Sequence, residues 1–151
     1  MEVRAVKFRL PVDFRPGRQG LGKVLGTLEN EIMEIIWRKG CEVSVRDVHE
    51  VLVARREVAY TTVMTIMGRL ADKKLLHKRK EGKAFYFLPS LTREGFTEKV
   101  VGSVVDSLLE DFADATLAHL VNRVSARDQE TLARLEKMLA VLKNGEGHEV
   151  K

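Results

Sequence analysis

Apolar positions recur at helical spacing in three short blocks, alternate over one intervening stretch, and return at helical spacing over the last third of the chain. Leu28, Ile32, Ile35 and Ile36 repeat at i, i+4, i+7 and i+8, the buried stripe of a helix expected over residues 27–39. Thr27 stands where a cap is needed, Glu29 and Glu31 lie near the positive end of the dipole, and Gly40 follows Arg38 and Lys39 as a stop. Trp37 fits either the core or an interface, the core being the better fit. Ser44-Val45-Arg46-Asp47 has a capping-box-like order and opens a second helix, about 45–55, with Val45, Val48 and Leu52 on one face. A third helix is predicted over about 60–74. With Val63 at the centre of its buried face, Ile66, Met67 and Leu70 fall within about 60° of it at roughly 100° per residue. Thr61, Thr65, Gly68, Arg69 and Asp72 then point the other way, with Thr62 at the edge.

The alternating stretch follows. Leu75 to Lys80 and Lys83 to Leu88 are two extended runs around Glu81-Gly82, which predicts a β-hairpin with a two-residue Glu-Gly turn, ended by Pro89. Beyond it, Phe96, Val100, Val101, Val104, Val105, Leu108 and Phe112 form one long stripe on a helix from Thr92 to about Ala113. A short helix follows with Leu117, Leu120, Val121 and Val124 on one side. The last helix, to about Lys143, spaces Leu132, Leu135, Leu139 and Leu142 by three, four and three, the a/d spacing of a helix–helix seam. Two such stripes need a partner. The expected dimer interface is therefore Val101, Val104, Val105, Leu108, Phe112, Leu117, Leu120, Val121, Leu132, Leu135, Leu139 and Leu142.

The fold class expected is mainly α with a small β-hairpin wing: a winged helix-turn-helix plus a C-terminal helical dimerisation region. The domains read as a basic N-terminal arm over 1–22 (disordered, or with a short strand through Phe8, Leu10 and Val12), a DNA-binding domain over 23–90, a dimerisation domain over 91–143 and a polar tail over 144–151.

Composition narrows the function. The 151 residues are 44% hydrophobic, enough for a core, and 32% charged, against about 25% in ordinary domains. The net charge of +4 is unevenly placed: residues 44–83 carry ten Lys/Arg against five Asp/Glu, whereas residues 92–151 carry eight against eleven. A basic first part joined to an acidic second part fits a polyanion-binding module fused to one with another task. One cysteine excludes an internal disulfide framework, and no apolar run reaches the roughly 18 residues of a membrane span. Together with the lack of a continuous apolar h-region in residues 1–20, this predicts a cytoplasmic chain that does not enter the membrane.

The exposed side of the third helix suits a DNA major groove. Threonine hydroxyls can hydrogen-bond base edges, their methyls can meet thymine methyls, and an arginine can bond guanine or phosphate. Gly68 would let the backbone approach closely, at about 1 kcal/mol of helix propensity. Lys78, Arg79, Lys80 and Lys83 match a row of phosphates, each contact adding roughly 0.9 to the salt slope. The plainer alternatives are that Thr61 or Thr62 caps the helix, that Arg69 is merely solvated, and that the lysines blunt a strand edge.

The segments Glu31-Ile32-Met33-Glu34-Ile35-Ile36-Trp37, Val45-Arg46-Asp47-Val48, Ala59-Tyr60-Thr61-Thr62-Val63-Met64-Thr65 with Arg69-Leu70, and Glu81-Gly82-Lys83 resemble the penicillinase-repressor family, the BlaI/MecI type of transcriptional repressor. The likeness runs over Leu28–Pro89 and, more loosely, to about Leu142. It implies a homodimer that represses transcription by binding an inverted repeat in double-stranded DNA. Thr61, Thr62, Thr65 and Arg69 correspond to the reading residues, with Tyr60, Arg46, Lys78, Arg79 and Lys83 as further DNA contacts, and the C-terminal helices dimerise. No cofactor and no metal are implied. Met64 stands where some relatives have arginine, which would alter base preference. Well-known relatives are cleaved at an Asn-Phe bond through a sensor protease; a sensor protease is therefore a candidate partner here too, but Leu120-Val121 occupies the matching place, which leaves that cleavage route and β-lactam as its signal open. The C-terminal cysteine cluster of copper-responsive relatives is also missing.

An enzyme is the first rival reading, but the sequence holds no Gly-rich phosphate loop, nucleophile elbow or HExxH. Asp106, Glu110, Asp111 and Asp114 near His119 could mimic a metal site, though a solvated acidic helix face explains them. A winged helix used for protein contact is the second. A redox switch at Cys41 is the third, set against an inert, buried thiol.

Overall fold

α1 (Thr27–Lys39) buries Ile32, Met33, Ile35 and Ile36, the stripe its spacing calls for, and ends on Gly40 in the left-handed conformation (φ +65°). The computed structural model describes residues 14–127 and 129–149. After α1 come β1 (Val43–Ser44), α2 (Val45–Val53), α3 (Tyr60–Asp72), β2 (Leu76–Glu81), β3 (Ala84–Pro89), α4 (Arg93–Arg127) and α5 (Gln129–Glu149), and a single 3-10 turn at Gly20–Lys23 precedes α1. The described chain is mostly helical with one small antiparallel sheet. It forms two compact units, one ending at Val104 and one starting at Val105.

The first unit is three helices and a three-stranded sheet of order β1-β3-β2. β1 is the strand the sequence hid: two residues give no period to read, yet Val43 pairs Phe87 and Ser44 pairs Tyr86. The hairpin turns one residue later than expected. Glu81 pairs Ala84, so Gly82 and Lys83 are the central residues, and only Gly82 has a positive φ (+62°), which suits a type II′ turn. Thr27 does not cap α1. The cap position is Gly26, whose N–H donates to Glu29 Oε2 at 3.2 Å, while the Thr27 hydroxyl accepts from Arg18.

The core joins Val45, Val48 and Leu52 of α2, Val63, Met67 and Leu70 of α3, and Leu75, Leu76 and Phe87 to the α1 stripe. Two contributions lie outside the expected boundaries. Leu21, assigned above to the arm, is buried with Val24 and Leu25. Residues 1–13, including the candidate strand through Phe8, Leu10 and Val12, lie outside the described residues. Phe96 (1% exposed) and Val100 (7%) of α4, read above as the start of the seam stripe, are instead part of this core. Trp37 is half-buried rather than fully buried. Its ring lies 5.6 Å from Phe96 and its Nε1 donates to Leu91 O at 2.9 Å, which ties α1 to the entry of α4.

In the second unit, α4 breaks at Phe112, where the backbone leaves helical values (φ −136°, ψ 46°). Val101, just before this unit, and Val105, Leu108, Phe112, Leu117, Leu120, Val121, Leu132, Leu139 and Leu142 are exposed, and Val104 and Leu135 are half-buried. Among the described residues, no helix is long and apolar enough to cross a membrane.

Phe96→Ala should destabilise the first unit by about 3–5 kcal/mol. Urea denaturation followed by fluorescence of Trp37, the chain's single tryptophan, measures it. A loss below about 1 kcal/mol would mean that α4 is not part of this core.

Candidate nucleic-acid interface

α3 begins after Ala59, which is extended and offers no side-chain cap. Thr61 and Thr62 are therefore not capping residues: both are exposed within the helix. The helix ends in a Schellman arrangement. Leu75 N–H reaches back to Leu70 O at 2.9 Å and Lys74 N–H to Ala71 O at 3.0 Å, with Lys74 left-handed (φ 68°) and Leu70 and Leu75 both buried. Between these ends, Val63, Met67 and Leu70 are wholly buried, so Tyr60, Thr61, Thr62, Met64, Thr65 and Arg69 are turned to solvent. Ile66, grouped above with the buried residues, is half-buried.

Two of these groups have local partners. Thr65 Oγ1 donates to Thr61 O at 2.9 Å, a back-bond along the helix that fixes the hydroxyl's direction and leaves its lone pairs free to accept. Tyr60 meets His49 edge-on at 5.6 Å, and His49 Nε2 donates to Val58 O at 2.9 Å. His49 thus pins the α2–α3 connection and the first residue of α3, a role its lone position in the sequence did not reveal. The Arg69 guanidinium makes no ion pair among the described residues. Gly68 is half-exposed, and a Cβ built on it would meet nothing within 4 Å.

α2 starts with a complete capping box: Asp47 N–H donates to Ser44 Oγ at 3.2 Å and Ser44 N–H to Asp47 Oδ2 at 2.9 Å. The backbone N–H of Ser44 holds the Asp47 carboxyl below its ordinary pKa, with the Ser44 hydroxyl and nearby Lys39 and Arg46 adding to it. Arg46 itself is open to solvent, with only a loose contact of 3.9 Å to Glu50.

The wing does not present its cations as one row. Strand alternation puts Lys78 and Lys80 on the face shared with Phe87 and Phe85, and Arg79 on the opposite face with Tyr86. Arg79 is also occupied. Its Nε and Nη2 donate to the two oxygens of Glu42 at 2.9 and 2.8 Å, its Nη1 donates to Glu81 Oε2 at 3.0 Å, and its guanidinium lies over Tyr86 at 5.2 Å. The fork with Arg79 pulls the Glu42 carboxyl below its usual pKa, and Glu42 first and Glu81 second raise that of Arg79. Glu42 lies 37 residues from Arg79, so no local motif announces the pair. Lys78 and Lys80 sit over the Phe85 ring at 4.1 and 5.7 Å, and Lys83 is exposed in the turn.

Cys41, expected to be a buried thiol, is exposed. No group of three or more His, Cys, Asp or Glu among the described residues could hold a metal ion.

Three helices, the third turned outward, and a hairpin behind them define a winged helix-turn-helix protein. The sequence model of the penicillinase repressor family matches residues 25–140. The chain belongs to that family and is a transcriptional regulator of the BlaI type. The transcriptional regulator BlaI of Mycobacterium tuberculosis is 41% identical over 128 residues, covering 82% of this chain and 88% of that protein. An uncharacterized 16.5 kDa protein of Latilactobacillus sakei is 29% identical over 113 residues, 75% of this chain and 76% of that one. Among solved structures, Bacillus licheniformis BlaI, in its monomeric form in complex with the blaP half-operator, is 25% identical with a TM-score of 0.41, covering 47% of this chain and 85% of that one.

The capping box makes a pH prediction. A carboxyl whose folded pKa is depressed stabilises the fold above its unfolded pKa of about 3.9 and stops doing so as pH falls through the lower folded value. Asp47→Ala should therefore melt below the parent at neutral pH, and the gap should close as the solution is acidified from about pH 4 down through the lower folded value. A gap independent of pH would show that the ionised box contributes nothing.

Proposed function

We propose that the chain is a homodimeric repressor that occupies an inverted-repeat operator, inserting α3 of each copy into the major groove. The outward face of α3 carries the reading: Thr61, Thr62, Thr65 and Arg69 are accessible on one side of a helix whose other side is wholly buried. Thr65 offers acceptor lone pairs in a fixed direction, Arg69 offers unpaired donors to guanine or phosphate, and Met64 gives an apolar contact for a thymine methyl. Tyr60, Arg46, Lys78 and Lys83 are also exposed and are candidate DNA contacts. The BlaI name of the Mycobacterium tuberculosis relative supports the regulatory role.

Dimerisation is supported by the thirteen exposed large apolar side chains from Val101 to Leu142, a larger oily surface than a soluble monomer ordinarily leaves to water. A second copy supplies the same surface and two-fold symmetry, which would set the two reading helices about 34–36 Å apart on DNA. The division of labour is then residues 23–90, extended by the Phe96 turn of α4, for DNA and the later helices for pairing. A redox switch at Cys41 is not part of this reading: the thiol is exposed, and exposure by itself does not make a thiol reactive.

Arg69→Ala should weaken binding to the operator in the chain's own upstream DNA by about 1–3 kcal/mol. Calorimetry giving equal affinity for the variant would remove Arg69 from the reading set. Gly68→Ala should raise thermal stability, by up to about 1 kcal/mol, because nothing in the chain needs the missing Cβ. If the backbone there lies against DNA, the same variant binds more weakly; a more stable variant with unchanged affinity would show that the gap is not used. Leu135→Asp should convert dimers to monomers in sedimentation, and an intact dimer would show the seam to be misassigned.

A further inference from the structure

We infer that the wing meets nucleic-acid phosphates through its Lys78–Lys80–Phe85 face and its Lys83 tip, and that Glu42 keeps Arg79 away from them. The inference rests on the DNA-binding reading above and concerns which side of the hairpin faces the polyanion. On one side, Leu76 and Phe87 pack into the helical core at the base, and Lys78 and Lys80 follow toward the tip with no carboxylate partner among the described residues, held over Phe85. The other side carries one guanidinium, Arg79, against two carboxylates, Glu42 and Glu81.

Moving Arg79 onto a phosphate would break three charge-assisted hydrogen bonds and a stacking contact over Tyr86. It would also leave two carboxylates uncompensated beside a polyanion. Lys78 and Lys80 lose no ion pair on meeting a phosphate, since a cation over a ring can turn its remaining donors outward. The Arg79–Glu42 fork spans the sheet from β2, across Tyr86 of β3, to the residue before β1. It therefore sets the tilt of the wing, while the lysines on the far face make the contact. Glu42 and Arg79 are positioning residues.

The test is the dependence of log affinity on log salt for the full chain, with its upstream duplex and a mixed-sequence duplex as probes. Lys78→Met and Lys80→Met should each flatten the slope by roughly 0.9. Arg79→Met should flatten the slope by less than either lysine variant, because Arg79 neutralises no phosphate itself and acts only through the tilt of the wing. Glu42→Gln should steepen it, by up to roughly 0.9, as Arg79 is released. Arg79→Met flattening the slope as much as Lys78→Met, or both lysine variants leaving it unchanged, overturns the face assignment. An unchanged or flatter slope for Glu42→Gln overturns the role of that carboxylate. If Arg79→Met does not fold, the two lysine variants and Glu42→Gln decide the matter alone. Failure of the parent chain to bind either duplex at low salt would instead overturn the DNA-binding reading itself, a result distinct from any change in slope.

Discussion

The rotation of α3 about its own axis governs everything the first unit can do. Val63, Met67 and Leu70 are each fully buried, and burying a side chain of that size is worth about 1.5–3 kcal/mol. Turning the helix far enough to hide Thr65 or Arg69 would expose at least one of them and forfeit several kcal/mol, more than an exposed threonine or a solvated arginine could return. The Schellman end of α3, with Leu70 and Leu75 both in the core, and the His49 contacts at its start hold the helix at both extremities. The polar face is thus outward as a consequence of packing, before any ligand is considered.

α1 is the frame to which the other elements are attached. Its carboxylates reach outward in three directions: Glu29 to Lys73 at the end of α3, Glu31 to Arg56 in the α2–α3 connection, and Glu34 to Arg93 at the start of α4. The Glu31–Arg56 and Glu34–Arg93 pairs are exposed and contribute roughly 0.2–1 kcal/mol each, so they serve to orient rather than to hold, while the Glu29–Lys73 pair is part-buried. The holding comes from the α1 stripe and from Trp37 against Phe96. That last contact brings the opening turns of α4 into the core of the first unit.

Much of this was legible in the sequence, for identifiable reasons. A helix of thirteen residues repeats its apolar period more than three times, so α1 and α3 could be read with their buried faces. The capping box of α2 lies within four consecutive residues and was read directly. What failed was either too short or too far apart to leave a pattern. β1 has two residues, and its partner β3 lies some forty residues on. Gly26 replaced Thr27 as the cap because one residue's shift keeps the same helix. Lys78 to Lys80 read as one basic row because charge counts ignore alternation, whereas a strand sends neighbours to opposite faces. Phe96 and Val100 fit a long stripe on α4 equally well whether a second copy or the first unit covers them, and periodicity alone cannot choose between covers.

The central claim, that the outward face of α3 enters a DNA groove with the wing beside it, is tested most directly by backbone amide chemical shifts of the isotope-labelled full chain titrated with its own upstream duplex. The account requires the largest changes to fall along Tyr60–Arg69 and around Lys78–Phe85, with the amides of Ile32–Ile36 little affected. Changes confined to the α4 and α5 region, with α3 silent at saturation, would contradict it.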